Sequence, residues 1–302
     1  MSYIVATENL TKTYGSRTVV DKLNLRIPEG SVYGFLGPNG SGKSTTMKML
    51  LSLIRPTSGQ AHVLGRPMDR STRRGLLGQI GSLIESPPGY AHLTGAENMR
   101  IVQRLLNLDD KNIDFAVRTV RMQDQMNKKV REFSLGMKQR LGIAMALARQ
   151  PKLLILDEPT NGLDPAGIEE IRDLLRRLAA GGVTVMVSSH LLGEVDKTAT
   201  VLGILSQGKM IFQGTRAELF SAAAPDLLID CSDPRRAQAM LARPHGARLE
   251  NGTVRLSGVE TNNAVAAIVT GLVGEAIGVH GVRRDEQTLE SVFMGLTAGG
   301  GL

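Results

Sequence analysis

The sequence predicts an α/β fold followed by a small α+β unit, on three observations. Two continuous apolar runs, LLILD (153–157) and VTVMVSS (183–189), flank a helical stretch (166–180), the pattern of a parallel sheet covered on both faces. A glycine-rich segment, GPNGSGKST (37–45), lies between a β-rich run and a helical one. The texture changes at SAAAPD (221–226), which reads as a linker. The expected domains are therefore residues 1–220 and 226–302.

Taken in order, YIVATENL, TVVDKLNLRI and SVYGFLG read as strands, with turns at Gly15-Ser16 and Pro28-Glu29-Gly30. KSTTMKMLLSLI then has a helical pattern, stopped by Pro56. Residues 94–128 are mostly helical and polar, and REFSLGMKQRLGIAMALAR runs into a further helix. After the two apolar runs, VLGILSQGKMIFQG forms a strand-turn-strand with Gln207-Gly208 at its turn. Beyond the linker the expected order is βαββαβα. It comprises LLIDC, PRRAQAMLA, ARLENG, TVRLSG, TNNAVAAIVTGLV, GVHGVRRD and TLESVFMGL, with Asn251-Gly252 as a hairpin turn.

Composition narrows the function classes. A chain of 302 residues buries a substantial core, and its 42% hydrophobic and 22% charged shares are those of an ordinary globular protein. Aromatics make up only 3% with no Trp, which argues against a stacking platform for single-stranded nucleic acid. The formal charge of +7 is read as dispersed basic residues on a solvated surface, and no nucleic acid partner is expected. The basic run RPMDRSTRR (66–74) is read in the same way, as a solvated loop. A single cysteine, Cys231, fits a reducing compartment. MSYIVATENLTKTYG lacks the basic start and apolar run of a signal peptide. The most apolar later stretch, AVAAIVTGLVGEAIGV (264–279), is interrupted by Glu275 and falls short of the roughly 20 residues of a spanning helix. The expectation is a soluble chain whose membrane role comes through a partner.

GPNGSGKST matches G-x-x-x-x-G-K-[ST] in the strand-before, helix-after context that the pattern requires. Gly37, Gly40 and Gly42 let backbone amides approach phosphate oxygens, with Pro38, Asn39 and Ser41 completing the loop and Thr45 following it. The helix N-terminus adds its positive end. Lys43 reaches the β- and γ-phosphates, and the Ser44 hydroxyl ligates Mg²⁺. LLILDEP delivers Asp157 and Glu158 at a strand end, where α/β sheets bind ligands. Asp157 suits the metal, and Glu158 suits an attacking water. VTVMVSSH ends in His190, placed to donate to a γ-phosphate and position that water. ATP and Mg²⁺ are the expected cofactors.

Together these residues resemble the ATPase subunit of ABC transporters over residues 1 to about 220. The resemblance implies that Tyr14 in TKTYG stacks on adenine and that GSLIESPP stands for the family's glutamine loop. It further implies that Ser134 and Gly136 of FSLGMKQR hold the γ-phosphate of a partner subunit, and that the loop of EPTNGLDP ending at Leu163-Asp164 meets the facing monomer. The fold it implies is a P-loop ABC ATPase domain with a mixed sheet and a helical subdomain. The implied assembly is a head-to-tail homodimer closing around two ATP molecules, peripheral on the inner face of the cell membrane and powering a separate transmembrane permease. A rival reading, a soluble ABC ATPase acting on ribosomes or DNA, usually brings two cassettes or long coiled-coil arms. This chain has one cassette and no sustained heptads. A P-loop module without turnover is disfavoured by Glu158 and His190.

Two departures stand out. Phe133, Leu135 and Met137 replace three of the five residues of the usual Leu-Ser-Gly-Gly-Gln, and Glu85 replaces the loop glutamine. Both spellings resemble the subfamily that exports bacitracin and lantibiotic-type peptides in self-protection, and TLESVFMGLT resembles the tail of that drug-exporter branch. An ionised glutamate only accepts hydrogen bonds, so Glu85 is expected to keep a metal contact and to make coupling to the permease charge-dependent.

Overall fold

A computed structural model describes residues 2–85, 89–190, 197–222, 226–259, 261–285 and 292. The expected final helix TLESVFMGL, apart from Val292, and the Pro87-Pro88 step after Glu85 lie outside the described residues. The chain divides into two compact units, Met1–Thr215 and Arg216–Ala298.

In the first unit, β1 (Tyr3–Tyr14) pairs antiparallel with β2 (Arg17–Leu23) and β3 (Arg26–Pro28). The run TVVDKLNLRI is thus two strands and not one. The break falls where the Thr7 hydroxyl donates to the Leu23 carbonyl and accepts from the Leu25 amide, inserting a side chain into the ladder. β4 (Val32–Leu36) leads into the glycine-rich loop and α1 (Lys43–Leu50). This helix ends before its apolar pattern does, because Ser52 takes a left-handed φ of 54° and the amides of Leu53 and Ile54 turn back onto the Lys48 carbonyl. β5 (Ser58–Val63) pairs with β1, β6 (Arg66–Pro67) extends that antiparallel sheet, and α2 (Arg73–Leu77) precedes β7 (Ile80–Leu83).

The helical segment holds α3 (Gly95–Leu106), α4 (Asp110–Thr119) and α5 (Leu135–Leu147). A capping box between Thr94 and Glu97 starts α3, satisfying first-turn amides that would otherwise lack partners. β8 (Leu153–Leu156), α6 (Pro165–Ala180), β9 (Thr184–Ser189), β10 (Val201–Ser206) and β11 (Lys209–Thr215) complete the unit. The second sheet has the order β11-β10-β4-β9-β8-β7, parallel throughout except for the antiparallel edge β11. β10 and β11 join through Gln207 and Gly208 at φ 47° and 81°, the conformation a two-residue hairpin needs.

The apolar runs are explained by burial on both faces. Leu153 and Ile155 of β8 join Tyr33, Phe35 and Met47 in one core, while Leu154 and Leu156 join Leu141, Ile171 and Leu175 in the other. Period-2 geometry then fixes which side chains emerge beyond each strand. Asp157 continues the face of Leu153 and Ile155, the side on which α1 packs.

The second unit contains α7 (Arg216–Ala222), β12 (Leu227–Cys231), α8 (Pro234–His245), β13 (Arg248–Glu250), β14 (Thr253–Leu256), α9 (Asn262–Gly274) and β15 (Val279–Arg284). Its antiparallel sheet runs β13-β14-β12-β15, with Asn251 and Gly252 at φ 49° and 84° in the hairpin. Leu227, Ile229, Val254 and Leu256 alternate inward to meet Leu241 and Leu272 of the helices. On the alternate positions Arg255 gathers Asp226, Glu250 and Asp285 within 3.1 Å. No helix among the described residues is long and apolar enough to cross a membrane.

Candidate nucleotide-binding site

The loop after β4 is shaped by what glycine omits. A Cβ at Gly37 would fall 2.3 Å from the Leu205 carbonyl oxygen and 2.6 Å from Ser41 Oγ. At Gly42, φ of 108° and a 2.8 Å approach to the Val19 carbonyl exclude a side chain twice over. Gly42 is the N-cap of α1, so no side chain caps the helix and no acid occupies its first turn. Ser41 Oγ is buried without a hydrogen-bond partner. Uncapped amides, the positive end of α1 and an orphaned buried hydroxyl together fit an anion. Pro38, Asn39 and Gly40 are exposed at the loop's crest, and Ser44 and Thr45 are half-buried in the first turn of α1.

Lys43 is 5% exposed and donates to the carbonyls of Gly37 (2.7 Å) and Pro38 (3.3 Å). Its Nζ lies 3.7 Å from Glu158 Oε1. Burial lowers the Lys43 pKa, and the nearby Glu158 and Asp157 carboxylates work against that shift.

Asp157 and Glu158 emerge from β8 directly beside the end of β9. Ser188 Oγ donates to Asp157 Oδ1 at 2.5 Å and accepts from the Glu158 amide at 2.9 Å. The Glu158 side chain meets His190 Nδ1 at 2.7 Å. An ionised carboxylate only accepts, so this contact assigns the Nδ1 proton to His190. Glu158 sits at φ 49°, a left-handed backbone that is uncommon for a residue with a side chain. Lys43, Asp157, Glu158 and His190, drawn from three separate segments, thus form one cluster.

Other expected residues lie around it. Tyr14 is half exposed, with Lys12 Nζ 4.8 Å from its ring centroid and also donating to the Arg55 carbonyl. Glu85, at φ 70° and 68% exposed, pairs with Lys48 Nζ at 2.5 Å. That contact holds the Glu85 carboxyl below the ordinary glutamate range and raises Lys48. Ser134 caps α5, accepting from the Met137 amide, and Gly136 lies against Leu163. Asp164 caps α6 by accepting from the Gly167 amide. Among the described residues no hydrogen bond or ion pair joins Ser134 to the Lys43–His190 cluster. The basic run 66–74 contributes Asp69, Arg70 and Arg73 to an open cleft of about 1300 Å³ that it shares with Arg55, apart from the glycine-rich loop.

Among the described residues no group of three His, Cys, Asp or Glu is placed to hold a metal ion. Of the three expected donors, Asp157 is a buried carboxylate and Ser44 a hydroxyl in the first turn of α1, whereas Glu85 is exposed and paired with Lys48. That sparse oxygen set fits Mg²⁺, which takes its remaining ligands from phosphates and water. Ser188 and Lys48 were not among the residues expected from sequence. Ser188 shares a strand face with His190 two residues on, which is a readable signal, but no local spacing rule pairs residue 48 with residue 85.

Comparison with known proteins places this geometry. Residues 20–161 match the family described as ABC transporter. The chain is 38% identical to the bacitracin transport ATP-binding protein BcrA of Enterococcus faecalis over 307 aligned positions, covering 100% of this chain and 99% of that protein. It is 46% identical to the lantibiotic transport ATP-binding protein SrtF of Streptococcus pyogenes, covering 68% of this chain and 88% of that one. Its fold matches a dimeric ATP-binding cassette in a post-hydrolysis state bound to ADP and Pi, with a TM-score of 0.63 and 26% identity, covering 70% of this chain and 98% of that structure. Beside the glycine-rich loop, the two strand-end carboxylates and the histidine, sequence similarity to a transport ATP-binding protein along the whole length of the chain identifies it as an ATP-binding, ATP-hydrolysing subunit of the ABC transporter family.

Proposed function

We propose that this subunit hydrolyses Mg²⁺-ATP between two head-to-tail copies and so powers a separate membrane permease that exports a peptide antibiotic or drug. The observation that carries the hydrolytic part is the cluster of Lys43, Asp157, Glu158 and His190 beside an anion-shaped loop. Lys43 exchanges its carbonyl partners for β- and γ-phosphate oxygens, and the amides of α1 and Ser41 Oγ complete the cradle. Ser44 and Asp157 would hold the metal, which when bound would neutralise charge building on the phosphates. Glu158 accepts a proton from water as the water oxygen bonds the γ-phosphorus and the bond to the β–γ bridging oxygen breaks, giving ADP and Pi. His190 holds Glu158 through Nδ1, and donation to the γ-phosphate would use an Nε2–H, which the ring carries only when doubly protonated. Tyr14 receives adenine, and Ser134 and Gly136 act on the nucleotide of the facing copy, since a helix N-terminus is a good anion cap.

Similarity to a bacitracin transport protein covers the second unit as well as the first, and similarity to a lantibiotic transport protein covers 68% of the chain. This supports the peptide-export reading, with the chain bound to the inner face of the cell membrane through its permease. The test is purification of the full chain from detergent extracts of its own cells. Copurification in detergent with peptide-stimulated ATPase is expected; copurification with ribosomes or DNA at moderate salt would overturn the reading.

A further inference from the structure

We infer that Ser188 is a positioning residue for hydrolysis, a hydroxyl that sets both catalytic-edge carboxylates at once. This rests on the hydrolytic reading above and concerns a residue that was not among those expected from sequence.

The sheet register makes the arrangement specific. β8 and β9 run parallel with Leu156 opposite Val187, so Asp157 and Ser188 are the next neighbours along the ladder and project to the same face. That face carries Ile155 and Met186 in the core beneath α1, and His190 continues it one alternation further. Ser188 is fully buried, and so is nearly all of Asp157. A buried carboxylate needs partners, and a serine hydroxyl has one proton to give. Here the proton goes to Asp157 Oδ1 at 2.5 Å, which leaves Oδ2 to face a metal. The oxygen lone pairs receive the Glu158 amide at 2.9 Å.

The second bond matters because Glu158 takes a left-handed backbone at φ 49°. Such a conformation in a residue with a side chain persists only where the surroundings hold it. Ser188 fixes the amide of that residue, while His190, directly after the same strand, meets its carboxylate at 2.7 Å. One strand end therefore clamps backbone and side chain of the proposed base, and its serine simultaneously orients the proposed metal ligand. Partners of metal ligands of this kind typically alter metal affinity or activity by about 10- to 100-fold when removed.

The experiment compares wild type, Ser188→Ala, Ser188→Thr and Ser188→Cys in the full chain. Steady-state ATPase is measured against ATP and against Mg²⁺, with nucleotide binding measured separately in EDTA. For Ser188→Ala the expected result is a kcat lowered by about 10- to 100-fold and a half-saturating Mg²⁺ concentration raised by about 10-fold. KM for ATP and metal-free nucleotide binding should stay within about twofold, because the cradle is untouched. Ser188→Thr, which keeps the hydroxyl, should recover most of the rate, and Ser188→Cys, a weak donor of similar size, should lie between. Wild-type kcat and Mg²⁺ response in Ser188→Ala would overturn the proposal. So would equal losses in all three variants accompanied by lowered melting temperatures, which would assign Ser188 to packing. Absence of Mg²⁺-dependent hydrolysis in wild type would overturn the hydrolytic reading itself, and is distinguished by needing no variant.

Discussion

Glu158 and Glu85 occupy equivalent places at the ends of neighbouring parallel strands, two residues beyond the paired Leu156 and Leu83. Both have left-handed backbones, at φ 49° and 70°, and each faces a lysine of α1. Their surroundings differ in one respect that governs the rest. Glu158 is 22% exposed beside a Lys43 that is 5% exposed, whereas Glu85 is 68% exposed beside a Lys48 that is 31% exposed. In the interior, burial lowers the Lys43 pKa, and the ammonium rests on loop carbonyls. At the rim, water screens the pair and the direct bond to Glu85 raises Lys48. The same motif of carboxylate and lysine is thus desolvated beside the glycine-rich loop and solvent-screened at the rim.

The comparison breaks most visibly at the buried end. Glu158→Gln should lower kcat by about 1000-fold, within the span of a general base, while ATP binding persists. Size-exclusion chromatography with ATP should then show a trapped dimer; wild-type-like hydrolysis would remove Glu158 from the role of base. Lys43→Ala should weaken ATP binding by about 100-fold through loss of a charge-assisted phosphate contact, read by calorimetry. Unchanged affinity would refute the cradle.

At the rim the expected effects are smaller. Glu85→Gln should change basal ATPase by no more than about threefold, since surface pairs contribute little. Peptide resistance in cells should change more than ATPase if Glu85 links hydrolysis to the permease, and parity of both with wild type would make it a tolerated spelling. The smallest effect is a titration. Lys48 holds the Glu85 pKa down, so the pair is intact above the ordinary glutamate pKa and is lost as pH falls through the lowered folded value. NMR of the Glu85 carboxyl should show titration below the ordinary range, and Lys48→Gln should bring it back up. No upward movement would mean that the pair does not persist in solution.

Much of this contrast was legible before any coordinates. The glycine spacing, the strand-end acids and His190 follow from patterns confined to a few residues, and so do the hairpins at Gln207-Gly208 and Asn251-Gly252. β5 was not legible, because SGQAHV gains its order from pairing with β1, half a hundred residues earlier, and half of its positions stay exposed. The division of TVVDKLNLRI was hidden for a related reason: Thr7, on another strand, interrupts it.

The sequence by itself determined that this chain has a glycine-rich loop between strand and helix, strand-end carboxylates and a doubly covered sheet. Backbone conformation and period-2 burial are local properties, set by glycine, by alternation and by helix starts. Only the tertiary structure decided that Ser188 meets Asp157 and Glu158, that Lys48 takes Glu85, and that the second unit's strands run in the order β13-β14-β12-β15. Those contacts join residues far apart in the chain, and their worth comes from burial and register that exist only after the sheets have closed.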